Sequence, residues 1–273
     1  MARRRKSRSA APPTPAAEPS GERPPARAAR SKPKFPVFFP SESDDLSGHN
    51  HRQAIGYLGL VLCPLLWLIS ALRPTSGQPV WAPWVSVSAY YYSGAVAVFV
   101  GVLASLAVFF FTYWGYDNEH RLWDRIAAWV AGAAALGVAG FPSWPPAGVV
   151  APSWWTPRTP YVHNASAAVL FGSFVFYCLV LFRRRRAGEK LAAGKRRRNR
   201  IYLACGIAIV LSMAWSVLAR LAHRSLFWPE TLALTSFAIS WLTKGRAWWT
   251  LGRLRQAAGS VARTGKLPAH DTA

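Results

Sequence analysis

Few side chains in this sequence are equipped for chemistry, and they are scattered along it. Ser86, Ser88 and Tyr90 stand together in Ser-Val-Ser-Ala-Tyr-Tyr-Tyr, His163 precedes Asn164, His223 stands alone, and Glu230 follows Pro229. A His near a Glu can orient a general base or bind a metal, because imidazole works through one nitrogen while a partner fixes the other. Ser88 would then be an orienting donor. Each residue also has a purely structural use. Pro suits the first position of a helix and an acid suits its positive end, so Pro229-Glu230 is an ordinary helix start. His163-Asn164 can cap a helix in the same way. No His-x-x-x-His, His-Glu-x-x-His, Cys-x-x-Cys or Gly-x-Ser-x-Gly occurs, so no catalytic residue, metal site or cofactor is assigned.

A second group lies in one short turn, where Tyr116, Asp117, Glu119, His120, Arg121, Asp124 and Arg125 alternate acids with bases. Pairing of Asp117, Arg121 and Asp124 with their neighbours is one reading. A proton or ion relay is the other. The three cysteines, Cys63, Cys178 and Cys205, all sit in apolar blocks, where a small buried hydrophobe is the default.

The elements that must position these groups are apolar runs. Hydrophobic residues make up 52% of the 273 residues and charged residues only 16%, against about 25% charged in an ordinary soluble domain. Ala54 to Leu72 is 19 residues without a charge, which at about 1.5 Å per residue approaches the ~30 Å hydrocarbon thickness. Further runs cover Gly94 to Trp114, Ile126 to Phe141, Val162 to Phe182, Ile201 to Ala219 and Leu226 to Leu242. The third and sixth are short, and the sixth holds Pro229 and Glu230. The expectation is an all-α bundle of six transmembrane spans.

Charge orients it. With six spans, 29 of the 33 Lys and Arg fall on one side, and only Arg73, Arg158, Arg220 and Arg224 on the other. The positive-inside rule then puts both termini in the cytoplasm. The net charge of +22 is therefore mostly topology. Arg183–Arg186 and Lys195–Arg198 flank spans without interleaved aromatics, which points to anionic headgroups and membrane lipids as partners and not to nucleic acid.

Residues 1–53, basic and rich in Pro and Ala, read as a disordered arm with one apolar knot, Phe35 to Phe39. The segments 74–92 and 142–160 are nearly neutral, aromatic and Pro-rich. They read as an interfacial belt, or as a vestibule for lipid. Ala128/Gly132 and Ala133/Gly137 in the third run predict close helix approach and a central place in the bundle. Residues 247–263 suggest an amphipathic helix on the inner leaflet. The midplanes hold only Ser, Thr and Gly, which speaks against a transporter subunit.

In order, Ser86-Val-Ser-Ala-Tyr-Tyr-Tyr, Phe111-Thr-Tyr-Trp-Gly-Tyr-Asp117, Gly140-Phe-Pro, Val162-His163, Arg198-Asn-Arg-Ile-Tyr202 with Gly206, Phe227-Trp-Pro-Glu230 and Ser240-Trp-Leu-Thr-Lys-Gly245 form a motif series. It resembles a group of bacterial six-span membrane proteins of unknown function over residues 54–246, and more distantly the DRAM/Frag/Sfk type. The resemblance implies the six-span architecture and a role for Ser86, Ser88, Tyr90, Asp117, His163 and Glu230. A membrane hydrolase of the alkaline ceramidase sort also uses Ser, Asp and His, but this chain lacks a paired-His motif in a last span. The leading expectation is a non-enzymatic membrane protein with an aromatic outer vestibule. The alternative is a lipid hydrolase using the outer Ser, His and Glu residues.

Overall fold

A computed structural model describes residues 45–75, 80–113, 121–184 and 193–247, all within the unit Ser43–Ala273. The expected arm, Asp117 and the C-terminal amphipathic helix lie outside the described residues, apart from residues 45–53 and Ala247. The described residues hold six α-helices and no strand: α1 (Asp45–Leu72), α2 (Val96–Phe111), α3 (Arg121–Gly140), α4 (Thr159–Leu179), α5 (Ala193–Leu221) and α6 (Phe227–Lys244). Short 3-10 turns occupy Ser88–Tyr92 and Leu181–Arg183. Four helices are long and apolar enough to cross a membrane: those within Gly48–Leu72, Arg121–Gly140, Thr159–Arg183 and Gly194–Leu221.

Two helix starts differ from expectation. Residues 45–53, assigned above to the disordered arm, are the first turns of α1, and Arg52 and Gln53 are buried there. The second apolar run does not begin as α-helix at Gly94. Ser86 caps a 3-10 turn first, its Oγ accepting the Ala89 N–H at 3.0 Å. Ser93 Oγ then donates to the Tyr90 carbonyl at 2.8 Å and accepts the Ala95 N–H at 3.1 Å. Serines that bond to nearby backbone in this way compete with α-helix, so α2 is left with 16 residues.

The helices neighbour one another in sequence order, α6 closes against α1, and α4 also touches α6. Close approach holds the α1–α6 seam. A methyl group added at Gly56 would meet Leu242 Cγ at 2.7 Å, and one at Gly245 would meet Gln53 Cγ at 2.8 Å. Gln53 Nε2 donates across the same seam to the Gly245 carbonyl at 2.8 Å. In lipid such packing and hydrogen bonding must replace the hydrophobic effect that drives helix association in water.

The bundle centre is aromatic, and it is α6 that lies there. Phe174 of α4 and Phe237 of α6 stack at 3.7 Å between ring centroids. The Trp241 ring, 0% exposed, packs on Phe110, Tyr113, Tyr177 and Phe182 at 5.1–5.7 Å. The expectation of a central third span needs correcting. Gly132 does meet the Phe111 ring of α2 and Gly137 the Ser166 side chain of α4. Yet Leu122, Trp123, Ile126, Trp129 and Leu136 of α3 are all exposed, so α3 sits on the periphery with one small-residue face turned inward. The weak apolarity of α6 has the complementary cause. Ser236, Ser240 and Thr243 are buried in protein, and Ser240 Oγ donates to the Phe237 carbonyl at 2.7 Å. A helix enclosed by others need not be apolar on every side.

Candidate functional site

One end of the bundle carries the neutral, aromatic loops, and most of the polar residues singled out from sequence meet there. Pro160 stands in the first turn of α4, and His163, one turn on, faces inward, 2% exposed. Its Nδ1 lies 2.6 Å from the Phe141 carbonyl and its Nε2 lies 2.9 Å from Ser88 Oγ. A carbonyl can only accept, so Nδ1 carries the hydrogen, and a neutral ring then offers its Nε2 lone pair to the Ser88 hydroxyl. Ser88 itself is half-buried.

Glu230 enters from the first turn of α6. Its carboxylate accepts the Val87 N–H at 2.6 Å, and the Ser88 N–H is also directed at it. Arg220, at the end of α5, acts on Glu230 as a counter-charge. The loop is further tied by backbone and side-chain bonds: Leu226 N–H donates to the Val85 carbonyl at 2.7 Å and Ser225 Oγ to the same carbonyl at 3.2 Å. Tyr92 Oη donates to the Ser143 carbonyl at 2.6 Å. Burial pushes the Tyr92 phenol up to about 12, and burial likewise raises the Tyr90 phenol.

Not every expected residue joins. Ser86 is spent on the 3-10 turn. Asn164 is half-buried, on the helix position next to His163, and does not reach the Ser88 and Glu230 contacts. His223 is exposed and lies just past the end of α5. It takes the left-handed conformation at φ 52°, while His223 N–H reaches the Arg220 carbonyl at 3.2 Å and Arg224 N–H the Ala219 carbonyl at 2.8 Å. That is the paired pattern of a Schellman cap. Other residues were missed. Trp84 N–H faces Tyr90 Oη at 3.4 Å, and Trp84 Nε1 donates to Ser70 Oγ of α1 at 3.0 Å. Cys63 of α1 lies beside Thr231, Glu230 and Tyr90. Nothing in its apolar run marked Cys63 as part of this end.

The aromatic loops pack on each other. Trp144 meets Trp155 edge-on at 5.5 Å and Tyr161 at 6.3 Å, while the exposed Trp81 gives its carbonyl to Trp67 Nε1 at 3.0 Å. Among the described residues, no group of three or more His, Cys, Asp and Glu could hold a metal ion.

At the opposite end, Asp124 is buried in the first turn of α3, and Tyr177 Oη donates to its carbonyl at 3.2 Å. Asp124 acts electrostatically on Lys244 of α6, so it faces the bundle as well as its own turn. Arg121 is half-buried, and Arg125 lies over the Trp129 ring at 4.9 Å. Comparison of the chain with protein-family models, curated proteins and solved structures found no match.

Proposed function

We propose that this chain is a six-span inner-membrane protein of the bacterial group its motifs resemble, with both termini in the cytoplasm. Its neutral aromatic end faces outward and contacts lipid, and it performs no catalysis. Charge and helix order support the threading. The helices turn alternately at two ends, and the end bearing Arg73, Arg158, Arg220 and Arg224 is the one poor in Lys and Arg. The polarity of α6 fits, because its buried serines and threonine lie where it packs among α1, α4 and α5.

Glu230 carries the non-enzymatic reading. A serine hydrolase needs backbone donors aimed at the developing oxyanion. Here the Val87 amide beside Ser88 is already taken by a carboxylate at 2.6 Å. The cluster works instead as a clamp that fixes the aromatic loop.

One observation favours a second reading, a lipid hydrolase. Ser88 Oγ is 2.9 Å from His163 Nε2, with Nδ1 held by a carbonyl, which is the arrangement of a nucleophile and its base. In that chemistry His163 would take the Ser88 proton as Oγ bonds to an ester carbonyl. It would then return the proton to the departing alkoxide, and water would release the acyl group. A fluorophosphonate probe applied to native membranes separates the two. No Ser88-dependent labelling is expected. Labelling that disappears in Ser88→Ala would overturn the non-enzymatic reading.

A further inference from the structure

We infer that the basic end of the bundle contains a defined site for one phosphate-bearing anion, and that an anionic phospholipid headgroup fills it. This deepens the threading proposed above and rests on it for the choice of lipid leaflet.

The site is read from helix faces. On α5, Lys195, Arg198 and Tyr202 recur at three- and four-residue spacing, so they share one face. Tyr202 is buried and Lys195 and Arg198 are half-buried, whereas Arg196, Arg197 and Arg200 are exposed. Two cations of this run are thus turned into the bundle and three are not. Lys195 and Arg198 act on Lys244 of α6, as do Arg52 of α1 and Asp124 of α3. Three cations and one acid, from α1, α3 and α5, therefore lie within electrostatic reach of Lys244 at the end of α6.

An aromatic floor lies between them. Lys244 Nζ stands 5.0 Å from the Phe182 ring centre, and Arg52 stands 5.8 Å from that of Tyr113. Phe182 packs on Tyr202 at 5.3 Å and on Trp241 at 5.2 Å, and Trp241 packs on Tyr113 at 5.2 Å. Cations gathered over aromatic rings suit a ligand with an anionic head and an apolar body.

A second observation points the same way. Arg183 Nε and Arg184 Nη1, next in sequence to Phe182, are buried atoms without a hydrogen-bond partner among the described residues. Buried guanidinium nitrogens are seldom left so, and phosphate is the acceptor that suits them. In the same stretches of sequence the acids are fewer than the cations. The segments 115–125 and 183–200 together carry twelve Lys and Arg against Asp117, Glu119, Asp124 and Glu189.

The test compares two charge-matched double variants of the full chain in detergent. Lys195→Gln/Arg198→Gln removes the inward pair, and Arg196→Gln/Arg197→Gln removes the exposed pair. Native mass spectrometry would follow retention of added dioleoylphosphatidylglycerol against dioleoylphosphatidylcholine. The inward variant should hold the anionic lipid on the order of 30-fold more weakly, while the outward variant stays within about threefold of the parent. Equal loss in both variants means diffuse attraction and overturns the site, as does no loss in either. A 50 mM inorganic phosphate arm separates the sources. Phosphatidylglycerol that stays bound supports the lipid, whereas its displacement together with equal thermal stabilisation by phosphate overturns the lipid assignment. Unfolding without lipid checks that both variants fold. The threading fails on reporter topology alone, so the two failures are distinguishable.

Discussion

Removing the Glu230 carboxylate should unfasten the loop of residues 80–93 and uncover Cys63. The carboxylate accepts the Val87 N–H at 2.6 Å, and a hydrogen bond to a charged group contributes about 1.5–3 kcal/mol. Glu230 is half-buried, so the lower part of that range applies. With a cost of about 2 kcal/mol, Glu230→Ala raises the open population roughly 30-fold. Glu230→Gln keeps an acceptor oxygen but loses the charge, and should raise it only about fivefold. Cys63 is a natural reporter because it is buried beside Glu230, Thr231 and Tyr90. Maleimide labelling of purified protein, with the modified peptide identified by mass, would measure its rate. If opening is fast relative to labelling, the rate follows the open fraction. Cys178 and Cys205, buried elsewhere, should be unaffected. A wild-type Cys63 rate in Glu230→Ala would refute the clamp. Equal acceleration at all three cysteines would mean general destabilisation instead.

Ser88→Ala removes the hydroxyl at 2.9 Å from His163 Nε2 and should cost about 1–2 kcal/mol in detergent unfolding. Phe237→Ala removes a ring stacked at 3.7 Å on Phe174 and should cost about 3–5 kcal/mol in the same assay. Gly56→Val should be destabilising by about 1–3 kcal/mol, because even its Cβ would meet Leu242 Cγ at 2.7 Å. Gly172→Ala, with no atom within 4 Å of the new methyl, should be neutral or stabilising by up to about 1 kcal/mol. For Tyr92 the folded phenol is raised to about 12, so the folded state holds its proton longer than the unfolded chain. Its stabilising effect, measured as wild type against Tyr92→Phe, should be level from neutral pH to about 10 and fade as pH rises towards 12.

The helices were legible because bilayer thickness sets the length of an apolar run, and the runs are interrupted by charged or Pro-rich segments. Helix ends were less legible. The charged turns before Ala54 looked like tail, yet Gln53 is needed at the Gly245 crossing. The 3-10 turn at Ser88–Tyr92 hides among apolar neighbours, since serine back-bonding leaves no periodic mark. Placement in the bundle was misread at α3, because alanine and glycine at four-residue spacing describe one face and say nothing of the opposite one. At the neutral end, Ser88, His163 and Glu230 could be grouped by depth, as each stands near the end of an apolar run. Their partners could not, because Phe141 offers a backbone carbonyl and Val87 a backbone N–H, groups that nearly every residue type carries. Asn164 fell out of the cluster because the adjacent helix position points about 100° away from His163.

Reporter fusions after residues 80, 150 and 195, made in the full-length gene and assayed in living cells, bear most directly on the membrane threading. A periplasmic enzyme reporter should be active at 80 and 150 and silent at 195, while a cytoplasmic fluorescent reporter should show the reverse. Periplasmic activity at 195, or cytoplasmic fluorescence at 80, would contradict six spans with the cations kept inside.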